Sequence, residues 1–425
     1  MKSSIARRLI KPIAVGALIF YAFSGVSSLL NYAFYPVISR FVSIEEYGEI
    51  QFLVSMFTQL AVGFVVLNIL AIIIGTEIKN SIQQKSALRS LNIVASGVSA
   101  LIVIIGSTVL VAQQDNLGIT SNIAIIALGL SLLINVPFTI AVGKLQGNNQ
   151  FVASGVVSML GALLKLIFSV VFVMLGYGVA GALFGIFAGM TVSLVIIEII
   201  NLRTKPHEKL NFTSKRFLLF SKHHFTQLSF VKNRAAVALI AVTVITLLSA
   251  ADSITSRIVL SASDAGHYAS VATIAKIILA ATSPLMWLAL PPALQHSSKV
   301  IFKYIFLALM VSVIATICFS IAPLFFTQTI IGVDPKQFQG LVPIASIGMT
   351  LCAIGFIVLT ATICMGYLKT ISITLIVTVI SYFATIILLS PSSGSLVASL
   401  IGQVVASTCL ILGLLPKLFT TKNNS

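Results

Sequence analysis

Charge is what this chain has least of. Only 8% of its residues are Asp, Glu, Lys or Arg, against about 25% in soluble domains, which excludes a water-soluble fold. Acids are the scarcer sign, 10 against 26 basic residues, so paired catalytic carboxylates have little to be built from. There is no Walker A sequence, no Ser/His/Asp arrangement and no sizeable outer loop to hold a catalytic centre. The chain is therefore read as no enzyme, with no cofactor and no catalytic residue. Cys318, Cys352, Cys364 and Cys409 all fall in apolar segments without metal-type spacing, and read as small buried apolar residues rather than disulfides or ligands. Segments of ~10 residues with alternating polarity are missing too, which excludes a transmembrane barrel.

What is present is apolar length. Apolar residues make up 58% of the chain and the mean hydropathy is +1.09. Charges sit mostly between apolar runs of roughly 20 residues, enough to cross about 30 Å of hydrocarbon as helix. About twelve such spans are expected: Pro12–Tyr35, Ile50–Gly75, Leu91–Ala112, Asn122–Val142, Val152–Leu175, Ala180–Asn201, Val237–Leu260, Ser270–Pro292, Phe302–Ala322, Val342–Met365, Ile371–Leu389 and Leu396–Leu415. The fold class is all-α and polytopic. The first run follows Lys2, Arg7, Arg8 and Lys11 but continues to Tyr35 without a small-residue cleavage site, so it reads as a spanning helix rather than a signal peptide.

The net charge of +16 is topology signal, not a nucleic-acid footprint. Both tails and the even-numbered loops hold nearly all the Lys and Arg, including Lys79, Lys85, Arg89, Lys144 and the run from Arg203 to Arg234. The odd-numbered loops and their helix ends hold only Arg40, Arg257 and Lys336, with Glu45, Glu46, Glu49, Asp115, Asp264 and Asp334 on the same side. By the positive-inside rule both termini are cytoplasmic and the odd-numbered loops are outside. The basic connector 203–234 contains His207, His223 and His224 but no carboxylate or Cys at ligand spacing, so it reads as a linker near anionic headgroups. It divides the chain into lobe 1–202 and lobe 235–425, six spans each. Equal orientation makes them parallel repeats, related by an axis along the membrane normal.

A second observation supports duplication. Ser39-Arg40-FVSIEEY-Gly48 in the first half is echoed by Ser256-Arg257-IVLSASDA-Gly266 in the second. Each is a Ser-Arg closing an apolar helix, an acidic turn, a Gly and another apolar helix. By contrast Gly176-Tyr-Gly178-Val-Ala-Gly181 matches the dinucleotide fingerprint only in letters. It joins two apolar helices rather than a strand to a helix, and reads as a tight turn. Gly181, Gly185 and Gly189 then leave one helix face bare for close packing. Pro137, Pro284, Pro291 and Pro292 fall within apolar runs, as kinks or hinges.

Topology leaves a few charges unexplained. Lys165 stands near the middle of the fifth span, where a lysine costs roughly 3 kcal/mol on insertion scales. It reads as a cavity cation facing an anionic substrate, or as the partner of an acid such as Asp252. Lys276 lies about two turns into the eighth span. Arg40 and Arg257 close the first and seventh spans, as substrate contacts or headgroup anchors. Asp252, five residues before Arg257, lies roughly 140° from it around a helix. It is an ion-coupling candidate or a structural partner of a cation.

The stretch LLNYAFYPVISRFVSIEEYGEIQFLVSM resembles the amino-terminal signature of bacterial polysaccharide-transport flippases, of the multidrug/oligolipid/polysaccharide exporter superfamily. Ser39, Arg40, Glu45, Glu46, Tyr47 and Gly48 carry the likeness. Asp252, Arg257, Asp264, Gly266 and Tyr268 resemble the family's seventh-to-eighth-helix junction, and Leu175-GYGVAG-Ala182 its fifth-to-sixth. The resemblance implies a bacterial inner-membrane carrier that flips undecaprenyl-pyrophosphate-linked O-antigen or capsule repeat units by alternating access, driven by an ion gradient. It implies a cationic cavity, carried onto Arg40, Lys165, Arg257 and Lys276. The expected partners are the lipid-linked oligosaccharide, membrane lipids, and a polysaccharide polymerase and chain-length regulator. Alternatives are a drug/cation antiporter of the same superfamily, a lipid II flippase, or a non-transporting scaffold of a polysaccharide assembly complex.

Overall fold

A computed structural model describes residue 19 and residues 22–61, 63–78, 81–148, 150–204, 222–294 and 298–420. The basic amino-terminal tail and connector residues 205–221, with His207, lie outside these, as do the side chains of His223, His224, Pro284, Pro291 and Pro292. The described chain is helical from end to end: α1 (22–38), α2 (Ile44–Ala61), α3 (Gly63–Glu77), α4 (Ser81–Ala112), the single turn α5 (Gln114–Leu117), α6 (Asn122–Gly147), α7 (Phe151–Phe172), α8 (Gly178–Thr204), α9 (Lys222–Val259), α10 (Ala262–Leu294), α11 (Ser298–Ile321), α12 (Val342–Met365), α13 (Leu368–Ser393) and α14 (Ser395–Thr420). Helix is what a hydrocarbon environment demands, because no water is there to satisfy an open backbone.

Among the described residues, eight stretches are long and apolar enough to cross a membrane by length and composition. One of them, Phe151–Ile199, runs 49 residues and is folded into α7 and α8 by the turn Val173–Tyr177, where Gly176 takes φ 90°. The chain is a multi-pass membrane protein. The reading of twelve spans also needs α1, the α2–α3 pair and α10, which do not meet that measure over their described residues. Outer panels and inner staves separate cleanly by burial. Only 11% of the most apolar window of α4 is buried, against 72% for α12. The exposed face of α4 is Val94, Val98, Leu101, Ile104 and Ile105, a stripe that water would not tolerate and lipid accepts.

Two groups of helices result. In the first half α6 is the central stave, packed by α3, α4, α7 and α8; in the second half α12 takes that place among α9, α10, α11, α13 and α14. Pro137 lies inside α6 without ending it. The two groups meet through α2, which packs on α9 and α10 as well as on α6 and α8. Its Tyr47 is fully buried among Tyr268, Val271 and Ala272 of α10, and its hydroxyl bonds Thr273 Oγ1 at 2.6 Å.

Between helices in lipid, apolar burial supplies little drive, so close packing of small residues matters more. The α7–α8 pair shows this. A Cβ on Gly185 would stand 2.2 Å from the backbone nitrogen of Ser169, and one on Gly189 would stand 2.4 Å from that of Lys165. Neither obstacle is a side chain that could turn away. Gly185→Leu is expected to cost about 3 kcal/mol by overpacking, seen as a lowered Tm in detergent; an unchanged Tm would show the helices free to separate.

Candidate functional site

Two clusters of polar groups stand within the bundle, one built on α1 and α7 and one on α9 and α10. The first is built on α7. Lys165 Nζ donates to Asn31 Oδ1 at 2.8 Å and lies 4.7 Å above the centre of the Phe34 ring. Ser27, Asn31 and Phe34 recur at helical spacing and so share one face of α1, which Ser27 also ties to α7 through the Ser158 carbonyl at 3.1 Å. The ring offers about 1 kcal/mol of cation–π attraction but no neutralising charge. Among the described residues no carboxylate pairs with Lys165. Glu198, further along α8, is exposed. Close backbone contact with Gly189 fixes where the lysine starts. The site is thus a half-buried ammonium held by one amide and one aromatic face, with donor capacity to spare.

The second cluster joins α9 and α10. Lys276 Nζ stands 3.8 Å from Asp252 Oδ1 and donates to Ser253 Oγ at 2.6 Å. Tyr268 donates to the other oxygen, Asp252 Oδ2, at 3.0 Å. Tyr268 and Lys276 are eight residues apart, close to two helical turns, so one face of α10 brings both to the carboxylate. Asp252 therefore finds its cation on the next helix, not in Lys165 and not in Arg257. The buried hydroxyl of Tyr32 on α1 makes no hydrogen bond.

Neither arginine joins these clusters. Both lie at one end of the bundle, and both reach main-chain carbonyls in the opposite half. Arg257 is buried, and donates through Nε to the Leu117 carbonyl at 2.6 Å and through Nη2 to the Gly118 carbonyl. Gly118 has φ +60°, and a Cβ there would meet the guanidinium at 2.9 Å. Arg40, itself exposed, donates to the Thr329 carbonyl at 3.2 Å, while Ser39 beside it donates to the Ile331 carbonyl. Each receiving loop is also pinned within its own half. Glu49 accepts from the Thr120 amide at 3.1 Å and hydroxyl at 2.8 Å, and His267 Nδ1 bonds the Asp334 carbonyl.

The two glycines of the repeated stretch touch. A Cβ on Gly48 would stand 2.8 Å from the Gly266 nitrogen, and one on Gly266 would stand 2.0 Å from the Ile44 carbonyl oxygen. The start of α2 and the start of α10 cross there backbone to backbone.

Sequence reasoning had singled out every charged member of these clusters but not Asn31, Phe34, Tyr32, Ser253 or the role of Glu49. A polar stripe on an apolar first helix, Ser27 and Asn31 beside Tyr32 and Tyr35, was the available signal. Among the described residues no group of His, Cys, Asp and Glu could hold a metal ion.

No protein-family model matches the chain, and no curated protein matches it. Solved structures do. An inward-facing multidrug resistance MATE family transporter of the MOP superfamily aligns with a TM-score of 0.69 at 14% identity, over 94% of this chain and 96% of that one. The lipid II flippase MurJ in an inward closed conformation aligns at 0.67 and 14%, over 95% and 89%. An outward-facing multidrug resistance MATE family transporter aligns less well, at 0.58 and 15%, over 97% and 96%. At such identities the likeness is one of architecture: the chain has the fold shared by these transporters and the lipid II flippase.

Proposed function

We propose that this chain is an inner-membrane flippase for an undecaprenyl-pyrophosphate-linked oligosaccharide, a repeat unit of O-antigen or capsule. In this reading twelve spans form two lobes, 1–202 and 235–425, joined by the basic connector 203–234, with both termini in the cytoplasm. The lobes rock about a wet central cavity while the polyprenyl tail stays in lipid. Lys165 carries the proposal. Its insertion cost of about 3 kcal/mol is relieved by Asn31 and Phe34 but not cancelled by any described carboxylate. A pyrophosphate linker brings the missing negative charge, and with water largely excluded the attraction is strong.

Lys276 is the second cation. Asp252 holds it in the present geometry, so it faces the substrate only when that carboxylate is neutralised. This makes Asp252 the ion-coupling candidate, since an ion bound there releases a cation into the cavity. The fold is also that of multidrug transporters, which favours the drug antiporter as second reading. Against it, the buried Asp252 is already paired with a lysine, so among the described residues of this region it is not free to meet a cationic drug.

The test is transport of a fluorescent polyprenyl-pyrophosphate oligosaccharide in reconstituted vesicles. Lys165→Ala should slow flipping at least about tenfold, the scale of one lost charge-assisted hydrogen bond, and Lys165→Arg should restore part of it. A wild-type rate in Lys165→Ala overturns the reading. Efflux of a cationic dye with no flipping of the lipid would put the antiporter first, and preference for lipid II over other lipid-linked glycans would narrow the substrate to peptidoglycan precursor.

A further inference from the structure

We infer that the outer face is shut by two crossed latches that operate as one joint. The order of parts is the same in both halves. A helix ends in Ser-Arg (Ser39-Arg40 on α1, Ser256-Arg257 on α9), and the arginine reaches across to a loop of the other half. Arg257 takes the loop after α4 at Leu117 and Gly118, and Arg40 with Ser39 takes the segment after α11 at Thr329 and Ile331. The residue after each motif glycine, Glu49 or His267, ties the receiving loop back to its own half at Thr120 or Asp334. Between the latches the two glycines form the crossing of α2 and α10.

The consequence is mechanical. Each receiving loop is held by its own half on one side and by the opposite arginine on the other, so it bridges the two groups of helices. Packed groups of helices move as bodies, by hinge or shear, rather than by continuous deformation. Any separation at the Gly48–Gly266 crossing therefore withdraws both arginines from both loops. One latch cannot open while the other stays shut.

The inference rests on the proposed motion of two lobes but not on the substrate, and its test uses none. Amide hydrogen exchange would be followed by mass spectrometry on the full chain in lipid nanodiscs, for peptides covering 113–121 and 325–334. Both carry backbone bonds that report opening, Ile119 to Gln114 at 2.9 Å and Gly332 to Thr327 at 2.9 Å. Arg257→Gln should speed exchange roughly tenfold in both peptides, including the one that Arg257 does not touch. Arg40→Gln, at an exposed side chain, should do the same in the converse direction, raising exchange at 113–121. Acceleration confined to the loop that lost its own arginine overturns the joint. If Arg257→Gln unfolds the protein, Arg40→Gln alone decides between the two outcomes. Coupled exchange with no flipping of any lipid-linked glycan would keep the joint and sink the substrate reading.

Discussion

Gly266→Val should give a protein that reaches the membrane but does not transport. The alanine series should already be graded: a Cβ on Gly266 lands 2.0 Å from the Ile44 carbonyl oxygen, whereas one on Gly48 lands 2.8 Å from the Gly266 nitrogen. Overpacking in a core usually costs about 1–3 kcal/mol because side chains turn aside. Here the obstacles are backbone, so the start of α10 must move away from α2. The cost then falls on the state in which these helices touch, and the expected order of lost activity is Gly266→Val, then Gly266→Ala, then Gly48→Ala. Spin labels on either side of the crossing should report longer distances in the same order. Wild-type transport by Gly266→Val would mean the crossing is not visited during the cycle.

The second large effect concerns Asp252. Asp252→Ala leaves Lys276, only 15% exposed, with a serine hydroxyl as its remaining bonded partner. Removing one member of a buried pair costs about 3 kcal/mol, chiefly because the other charge is stranded, whereas replacing both by apolar groups is often neutral. Asp252→Ala should therefore lower Tm markedly, and Asp252→Ala with Lys276→Met should recover most of the loss. If Asp252 is the coupling group, as proposed, transport should stay absent in both. Equal destabilisation of the single and double variants would show that the pair contributes no mutual support. Recovery of transport in the double variant would remove Asp252 from the coupling role.

Much of the fold is legible without coordinates because lipid allows so few solutions. Apolar runs of about 20 residues must be helices, and the described parts of these runs are almost entirely helical. The half-chain echo around Gly48 and Gly266 was legible as repetition, but not as contact. Nothing in one sequence says that two distant glycines face each other. The charged members of the site stand out for a related reason: a lysine amid leucines, as at Lys165, calls for either a cavity or an acid partner. Its partners do not stand out. Asn31 is an ordinary residue until α1 is laid against α7, and that pairing is a tertiary fact. The same holds for Asp252, whose cation was sought at Lys165 or along α9 and lies on α10. Glu49 was read only as an outer-side acid, because its bond to Thr120 depends on where the loop after α4 folds back.

The arginines were the hardest to read, since their targets are main-chain carbonyls, which every residue carries. That choice of target has its own consequence. A lock that grips peptide oxygens is blind to the side chains it holds, so Leu117 and Thr329 can change with little effect on the grip. Only the shape of the loop is constrained, at Gly118 by its φ of +60° and the guanidinium pressed against it. The loops at this end can therefore drift in sequence while the joint beneath keeps its geometry.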